Sequence, residues 1–223
     1  MPAYAFFDVD GTLINTRSLI SFLARLWALP GMDPVRFTIY WDGLRERVRE
    51  GIAREHLNRY YFSVFQGLVV ADVEAAGQAW FEAQSRKEDF YNPQGMALLR
   101  AQRELGLRVC LVTGSFPALV KPLAEAVGAE AMLCSVPQSV EGRYTGQLQG
   151  MPCIGANKAD AIRAFALERG VDLARCIAFG DDDSDRPMLD LVGQGVLVPT
   201  DARYAVEWQR TFAAPTAQEA IHG

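Results

Sequence analysis

The sequence predicts an α/β protein built on a doubly wound parallel sheet, and three observations lead to that fold class. An apolar run at residues 4–7 is followed at once by two aspartates and a turn, which is typical of a buried strand that ends at a ligand site. Residues 16–90 carry apolar side chains at helical spacing and show no β-type alternation. From residue 92 onwards, strand-like runs alternate with helical patterns, which indicates βαβ units.

The elements are expected in a definite order. Four amphipathic helices follow the first strand, and a Pro-Gly pair at residues 30–31 stops the first of them. Glycines close several later helices, and turn glycines within residues 140–150 predict a small β-hairpin. Helices are predicted between residues 12 and 30 and at residues 35–51, 53–65, 70–88, 93–105, 117–127, 158–169 and 185–192, and strands at residues 4–7, 107–113, 131–136, 176–180 and 195–198.

The distribution of these elements predicts two domains. The chain has 223 residues, which is enough for one large domain or for a domain with a sizeable insertion. Predicted strands occur only near the N-terminus and in the second half. We therefore predict a core domain formed by residues 1–15 and 91–223, with an all-helical domain, residues 16–90, inserted into it.

Charge, hydropathy and cysteine usage predict a cytoplasmic protein that binds neither nucleic acid nor a membrane. The net charge of −5 gives no electrostatic footprint for either partner, so an anionic substrate would need a local positive site. No run approaches the ~18 apolar residues of a membrane-spanning helix, and no signal-peptide pattern is present. The oligomeric state is not predicted. Cysteines without CxxC spacing are expected to be reduced core thiols: Cys110, Cys134, Cys153 and Cys176.

Asp8 and Asp10 are the first candidate site residues. They follow a predicted strand, and ligands of open α/β sheets bind at the carboxyl ends of the strands. Their spacing of two places both side chains on one face, so the pair could hold a metal ion or divide the roles of nucleophile and acid. Taken alone, the pair is equally well explained as two solvated aspartates in a turn at Gly11 and Thr12.

Two further candidate clusters each lie at the start of a predicted helix. Thr113, Gly114 and Ser115 combine hydroxyl groups and amide donors ahead of a helix, which suits a phosphoryl group but is also ordinary turn chemistry. Lys158 opens another helix, where its charge opposes the helix dipole; the alternative is a solvated surface lysine.

The last cluster follows the predicted strand at residues 176–180. Four aspartates within five positions repel one another unless a cation compensates them, so a divalent metal with oxygen ligands is expected. Helix capping explains Ser184 or Asp185 but not all four acids. The acids are Asp181, Asp182, Asp183 and Asp185.

These clusters, in this order, resemble the four motifs of the haloacid dehalogenase (HAD) superfamily. The helical segment at residues 16–90 resembles that superfamily's C1 cap, which implies a Rossmann-like core carrying a helical cap domain. Residues 141–147, with the following Lys158, resemble its phosphoserine-phosphatase-like branch, subfamily IB. The resemblance covers nearly the whole chain. The motifs are Asp8-Val9-Asp10-Gly11-Thr12, Thr113-Gly114-Ser115, Lys158, and Gly180 to Asp185.

The resemblance implies a phosphoric monoester hydrolase that acts on a small phosphorylated metabolite with Mg²⁺ as its cofactor. Asp8 would be the nucleophile that forms an aspartyl-phosphate, and Asp10 would be the general acid and base. Family dehalogenases lack the second acid and family transport ATPases usually have threonine there, so Asp10 favours a phosphatase or phosphomutase. The open alternatives are a phosphotransferase or phosphomutase and, from another class, a non-catalytic binding protein that retains the fold.

The resemblance also implies a set of binding residues. The Asp8 carboxylate, the Asp10 backbone carbonyl and Asp181 would hold the metal. Asp182 and Asp185 would lie in its outer shell. The phosphoryl oxygens would be held by Thr113, Gly114 and Lys158.

Three positions depart from the family pattern. Phosphoserine phosphatases commonly have a glutamate nine residues after the nucleophile, which binds the substrate ammonium, whereas this chain has Arg17. Because a cation repels an amino group, an anionic or neutral leaving group is expected rather than phosphoserine; the alternative is that Arg17 is a solvated helix residue. Asp182 stands where serine or glycine is usual, and Ser184 stands where asparagine is frequent.

Overall fold

The computed structural model describes residues 3–29 and 32–200 together with Tyr204. The predicted stop at residues 30–31 and the rest of the chain after residue 200 lie outside these residues. The strands are β1 (Tyr4–Phe7), β2 (Arg108–Thr113), β3 (Ala131–Cys134), β4 (Pro137–Val140), β5 (Arg143–Leu148), β6 (Ile177–Gly180) and β7 (Gln194–Leu197). The helices are α1 (Ser18–Trp27), α2 (Pro34–Arg49), α3 (Arg54–Ser63), α4 (Val70–Gln84), α5 (Pro93–Glu104), α6 (Pro117–Val127), α7 (Ala156–Arg169) and α8 (Arg186–Leu189).

Five strands form a parallel sheet in the order β3-β2-β1-β6-β7, which confirms the predicted fold class. β1 lies in the centre and is buried on both faces. Ala5 and Phe7 belong to the core on the side of α5 and α6, whereas Tyr4 and Phe6 belong to the core on the side of α7 and α8. Helices on both faces explain why β1 is a continuous apolar run rather than an alternating one.

The strand order places a crevice at the carboxyl end of β1. From β1, the chain builds the sheet outwards through β2 and β3 on one side and through β6 and β7 on the other. Such a switch point is where doubly wound sheets bind ligands. Asp8 directly follows β1, Thr113 ends β2 and Asp181 directly follows β6. The topology therefore brings three distant motifs to one edge of the sheet.

The helices α1–α4 share a hydrophobic core with the sheet. The ring of Phe116, which precedes α6, lies 5.7 Å from that of Phe22 on α1 and 5.6 and 5.2 Å from those of Phe62 and Phe65. On the neighbouring surface, α4 packs against α6 so closely that a Cβ atom at Gly77 would overlap the Ala118 carbonyl oxygen. The predicted division into two domains at residues 16 and 90 stays a prediction.

The predicted β-hairpin is confirmed as the antiparallel pair β4–β5. Backbone hydrogen bonds attach it to the connection between α3 and α4. The Gly67 amide donates to the Tyr144 carbonyl at 2.8 Å, and the Tyr144 amide donates to the Leu68 carbonyl at 3.0 Å. The hairpin thereby fastens the helical segment to the second half of the chain.

The helix predicted at residues 185–192 is shorter than expected. A 3-10 turn at Asp183–Asp185 precedes α8, which ends at Leu189. Most of the difference lies at its end, three residues earlier than predicted, where the chain turns and the Gly193 amide donates to the Leu173 carbonyl at 2.9 Å. The start of α8 is one residue later than predicted, because Asp185 belongs to the 3-10 turn and its side chain accepts hydrogen bonds from the amides of Asp181 and Asp182 at 3.1 and 3.4 Å.

The compositional predictions are borne out in part. All four cysteines are free thiols, three of them buried. Across the described part of the chain, no helix combines the length and the apolar character needed to span a bilayer. The cytoplasmic location stays a prediction.

We predict that Gly77→Ala destabilises the protein. Alanine normally stabilises a helix by about 1 kcal/mol relative to glycine. Here its Cβ would overlap the Ala118 carbonyl, and overpacking typically costs about 1–3 kcal/mol, so the sign should reverse. Urea unfolding monitored by circular dichroism should show a lower free energy of unfolding. The control is Gln78→Ala, at an exposed position of the same helix, which should not lower it. Equal stabilisation by both changes would contradict the close approach of α4 to α6.

Candidate active site

All the site residues predicted from the sequence line one cavity of about 170 Å³. It lies between the carboxyl ends of β1, β2 and β6 and the helices α1–α3. The charged groups belong to the sheet side, apart from Arg17 and Arg54. The predicted residues are Asp8, Asp10, Arg17, Thr113, Gly114, Lys158, Asp181, Asp182 and Asp185.

Lys158 is the buried centre of the site. It is the third residue of α7, and its Nζ atom donates to Asp8 Oδ1 at 2.5 Å and to Asp185 Oδ1 at 2.7 Å. All three side chains are buried. Burial alone would lower the pKa of Lys158, but the two carboxylates outweigh it and raise that pKa above its usual value. Lys158 is therefore a permanent cation, and the alternative of a solvated surface lysine is wrong.

Asp185 positions the loop that follows β6. Its Oδ1 atom accepts from Lys158, while its Oδ2 atom accepts from the amides of Asp181 and Asp182. Burial, followed by the charge of Asp8, raises the pKa of Asp185. Both oxygens of this carboxylate are thus engaged in holding the site together.

Asp8 and Asp181 place oxygen atoms on either side of one hydroxyl group. Thr12 Oγ1 lies 3.3 Å from Asp8 Oδ2 and 3.1 Å from Asp181 Oδ1. A hydroxyl has one proton, so it cannot satisfy both carboxylates. Burial is the main cause that raises the pKa of each to about 6, and the charge of Asp181 adds to the effect on Asp8. The arrangement leaves a carboxylate oxygen in need of a positive partner.

The donor set fits a hard divalent cation. One oxygen from each of Asp8, Asp181 and Asp185 lies within 4.8 Å of the others. Carboxylate and carbonyl oxygens are the ligands that Mg²⁺ prefers. The backbone at Gly11 makes this approach possible, because its φ of 92° favours glycine and any Cβ atom there would overlap the Asp181 carboxylate.

Asp10 is oriented by α1. Its Oδ2 atom accepts from the Ser18 amide at 2.9 Å and lies 3.0 Å from the Ser18 hydroxyl, so it caps that helix. Its Oδ1 atom is buried and has no hydrogen-bond partner among the described residues. Burial, together with the charge of Asp8, raises the pKa of Asp10 to about 7, although the Ser18 donors act in the opposite direction. A carboxyl group in this state can both give and take a proton near neutral pH.

The loop after β2 keeps a hydroxyl proton available. Thr113 Oγ1 accepts from the Ser115 amide at 3.1 Å, so its own proton remains free to be donated to a ligand. The Gly114 carbonyl accepts from Asn58 Nδ2 at 2.8 Å, and Asn58 Oδ1 accepts from the Ser135 hydroxyl at 3.2 Å. A buried asparagine of α3 thus holds the loop in place.

Arg17 lies at the N-cap position of α1 and is half-buried. Its guanidinium group stacks over the Tyr204 ring, 4.6 Å from the ring centroid, and its charge acts to lower the pKa of Asp10. It lines the cavity beside the catalytic candidates. Its predicted role in substrate specificity stays a prediction.

Arg54 is a site residue that the sequence analysis did not identify. It begins α3 and forms two hydrogen bonds with Asp182, at 3.0 and 2.9 Å, and a third with Ser184 Oγ at 3.0 Å. Burial raises the pKa of Asp182, but the Ser184 amide and Arg54 outweigh it, so that pKa is lowered. The two unusual residues of the acidic loop, Asp182 and Ser184, therefore share one partner on α3, and their departure from the family pattern was the signal that could have predicted it.

The site thus combines a buried lysine with carboxylates that could hold a cation, at the switch point of a parallel sheet. The family model described as haloacid dehalogenase-like hydrolase matches residues 5–190, and the chain belongs to this family. The predicted family and enzyme class, a hydrolase of the phosphatase kind, are confirmed.

Curated relatives and solved structures agree with the family. Phosphoserine phosphatase SerB1 of Mycobacterium tuberculosis is 30% identical over 213 residues, a match that covers 91% of this chain and 67% of the relative. A probable phosphatase of the same organism is 36% identical over 209 residues, a match that covers 88% of this chain and 69% of the relative. A Bordetella pertussis protein of unknown function has a TM-score of 0.77 at 23% identity, covering 94% and 96%. A substrate-bound phosphoserine phosphatase has a TM-score of 0.62 at 18% identity, covering 92% and 90%. At these identities, the two structures show the fold alone.

We predict that Lys158→Met lowers the free energy of unfolding by about 3–5 kcal/mol at pH 8, since it leaves two buried carboxylates uncompensated. Without the lysine, the pKa values of Asp8 and Asp185 rise in the folded state. The folded variant then keeps protons on these carboxyl groups at pH values where the unfolded chain has lost them. The free energy of unfolding of the variant therefore falls as the pH rises. The loss relative to wild type should therefore be smaller at pH 5 than at pH 8.

Urea unfolding at both pH values measures this difference. Lys121→Met is the matched control, because Lys121 is exposed on α6, and it should change stability little at either pH. A loss for Lys158→Met that does not depend on pH would show that the lysine acts through packing and not through its charge.

Proposed function

We propose that the protein is a Mg²⁺-dependent phosphatase that hydrolyses a small phosphomonoester through an aspartyl-phosphate on Asp8. The observation that carries the proposal is the pairing of two unlike carboxyl groups in one cavity. Asp8 is held by the cation of Lys158, whereas Asp10 is held by neutral donors and has a free buried oxygen. The phosphatases among its relatives support the same reaction class.

The first step forms the intermediate. An oxygen of the Asp8 carboxylate attacks phosphorus while the bond from phosphorus to the leaving oxygen breaks, and Asp10 gives its proton to that oxygen. The hydroxyl of Thr113, the amide of Gly114 and the third N–H of Lys158 stabilise the phosphoryl oxygens. A Mg²⁺ ion held by the Asp8 carboxylate, the Asp10 carbonyl and Asp181 would supply the positive charge that lets two anions approach.

The second step releases phosphate. Asp10, now ionised, takes a proton from water as the water oxygen bonds to phosphorus. The bond between phosphorus and Asp8 breaks, which regenerates both carboxyl groups and yields inorganic phosphate. The pKa of about 7 suits Asp10 to both halves of the cycle, because neither protonation state is strongly disfavoured near neutral pH.

We predict that Asp8→Asn and Asp10→Asn separate the two roles. Asp8→Asn should abolish activity, because it removes the nucleophile. Asp10→Asn should lower kcat on phosphate esters of ordinary alcohols about 10²–10⁴-fold, the usual contribution of a general acid and base. With p-nitrophenyl phosphate, whose leaving group needs no proton, Asp10→Asn should still form the intermediate and release a burst of p-nitrophenol.

Stopped-flow absorbance measures that burst, and circular dichroism checks that both variants fold. Asparagine can keep the Ser18 bonds of Asp10, so the fold should persist. A burst from Asp8→Asn, or steady turnover by either variant at the wild-type rate, would refute the assignment. Inorganic phosphate equal to the alcohol released shows that water is the acceptor, whereas less phosphate than alcohol shows phosphotransfer.

We predict that metal removal abolishes activity and lowers thermal stability. Mg²⁺ that binds only the folded state stabilises it by mass action. Addition of Mg²⁺ to EDTA-treated protein should therefore raise both the melting temperature and the rate of phosphate release. Asp181→Asn should lose both responses, whereas Asp183→Asn, at an exposed position of the same loop, should keep them. A melting temperature that Mg²⁺ leaves unchanged in wild type would contradict the metal site.

A further inference from the structure

The two ends of the cavity differ in chemistry. The sheet end carries the carboxylates and Lys158, whereas the wall formed by the helical segment and one loop is mostly apolar. The apolar residues are Leu19 and Ile20 on α1, Leu44 on α2, Leu57 on α3, and Ile154 in the loop before α7. Four of them, all except Leu44, remain partly exposed, so a bound ligand could bury more of their surface.

The polar side chains on this wall that come from α3 are already engaged. Asn58 uses both ends of its amide on Gly114 and Ser135, and Arg54 bonds Asp182 and Ser184. The Tyr61 hydroxyl donates to the Leu19 carbonyl at 2.7 Å. A polar leaving group would have to break one of these contacts to find a partner on α3.

The wall also offers no counter-charge for an ammonium group. Every acidic side chain that lines the cavity, among the residues the structure describes, follows a strand of the sheet. Glu55, next to Arg54 on α3, abuts Gly155 instead. An amino group on the leaving alcohol would lose its water, meet no carboxylate from the helices and lie near the cation of Arg17, all of which oppose binding.

From these observations we infer that the leaving group is a short apolar alcohol, with the partly exposed side chains Leu19, Ile20, Leu57 and Ile154 determining specificity. The inference rests on the proposed phosphatase function and names its substrate class. It excludes phosphoserine and amino alcohol phosphates as preferred substrates. The alkyl or aryl group would lie against the apolar wall while its phosphate lies at Asp8 and Lys158.

A series of n-alkyl phosphates tests the inference. From methyl to butyl phosphate, kcat/KM should rise about two- to fourfold per added CH2, in line with the free energy of burying a methylene. Butyl phosphate should exceed phosphoserine and phosphoethanolamine, even though the ammonium groups of the latter two make their alcohols better leaving groups. A flat series, or phosphoserine as the better substrate, would overturn the inference. If no ester, including p-nitrophenyl phosphate, releases phosphate with Mg²⁺, the proposed function itself fails.

Truncation of the wall provides the matched variants. Leu57→Ala should lower the ratio of kcat/KM for butyl phosphate to that for methyl phosphate about three- to tenfold, because the longer chain loses apolar contact. Ile154→Ala, in the loop before α7, should lower the same ratio and serves if Leu57→Ala does not fold. Leu167→Ala is the control, because Leu167 is 87% exposed on α7. An unchanged ratio in both wall variants would overturn the inference.

Discussion

The site depends on the burial of one cation between two carboxylates. Lys158 opposes the dipole of its own helix, so its position is stable only because Asp8 and Asp185 compensate its charge. Each of these two carboxylates also belongs to another part of the site. Asp185 holds the amides of the loop after β6, and Asp8 directly follows the central strand. One ion-pair network therefore ties α7 to two strand ends.

Much of the fold could be predicted because its cues are local. Helix α6 has the predicted bounds, since Pro117 favours its first turn and Gly128, with φ of 68°, ends it. The central strand was equally clear from its apolar run. Helix α8 was predicted too long because the chain leaves the helix after Leu189 and the Gly193 amide meets the Leu173 carbonyl, which only the tertiary fold brings to it. Periodicity contains no information about such contacts.

The same distinction between local cues and tertiary contacts applies to the candidate site. The predicted residues belong to short motifs at strand ends, where residue type and position together indicate chemistry. Arg54 and Asn58 belong instead to a helix that no motif marks, and they meet partners 128 and 56 positions away in sequence. In the sequence, only the unusual residues Asp182 and Ser184 indicated a contact such as the one that Arg54 makes. The contribution of the helical segment to the site therefore had to come from the structure.

In the proposed enzyme, the first turn of α1 joins catalysis to substrate choice. Ser18 orients Asp10, and its hydroxyl also lies 2.9 Å from that of Ser115 in the loop after β2. Arg17 precedes Ser18 in the sequence, and Leu19, the next residue, belongs to the apolar wall of the cavity. Because the Ser18 donors and the Arg17 charge both act on the pKa of Asp10, a substitution that moves this turn changes proton transfer as well as the wall that meets the leaving group. If Asp10 is the proposed acid and base, the specificity of this cavity cannot vary independently of proton transfer.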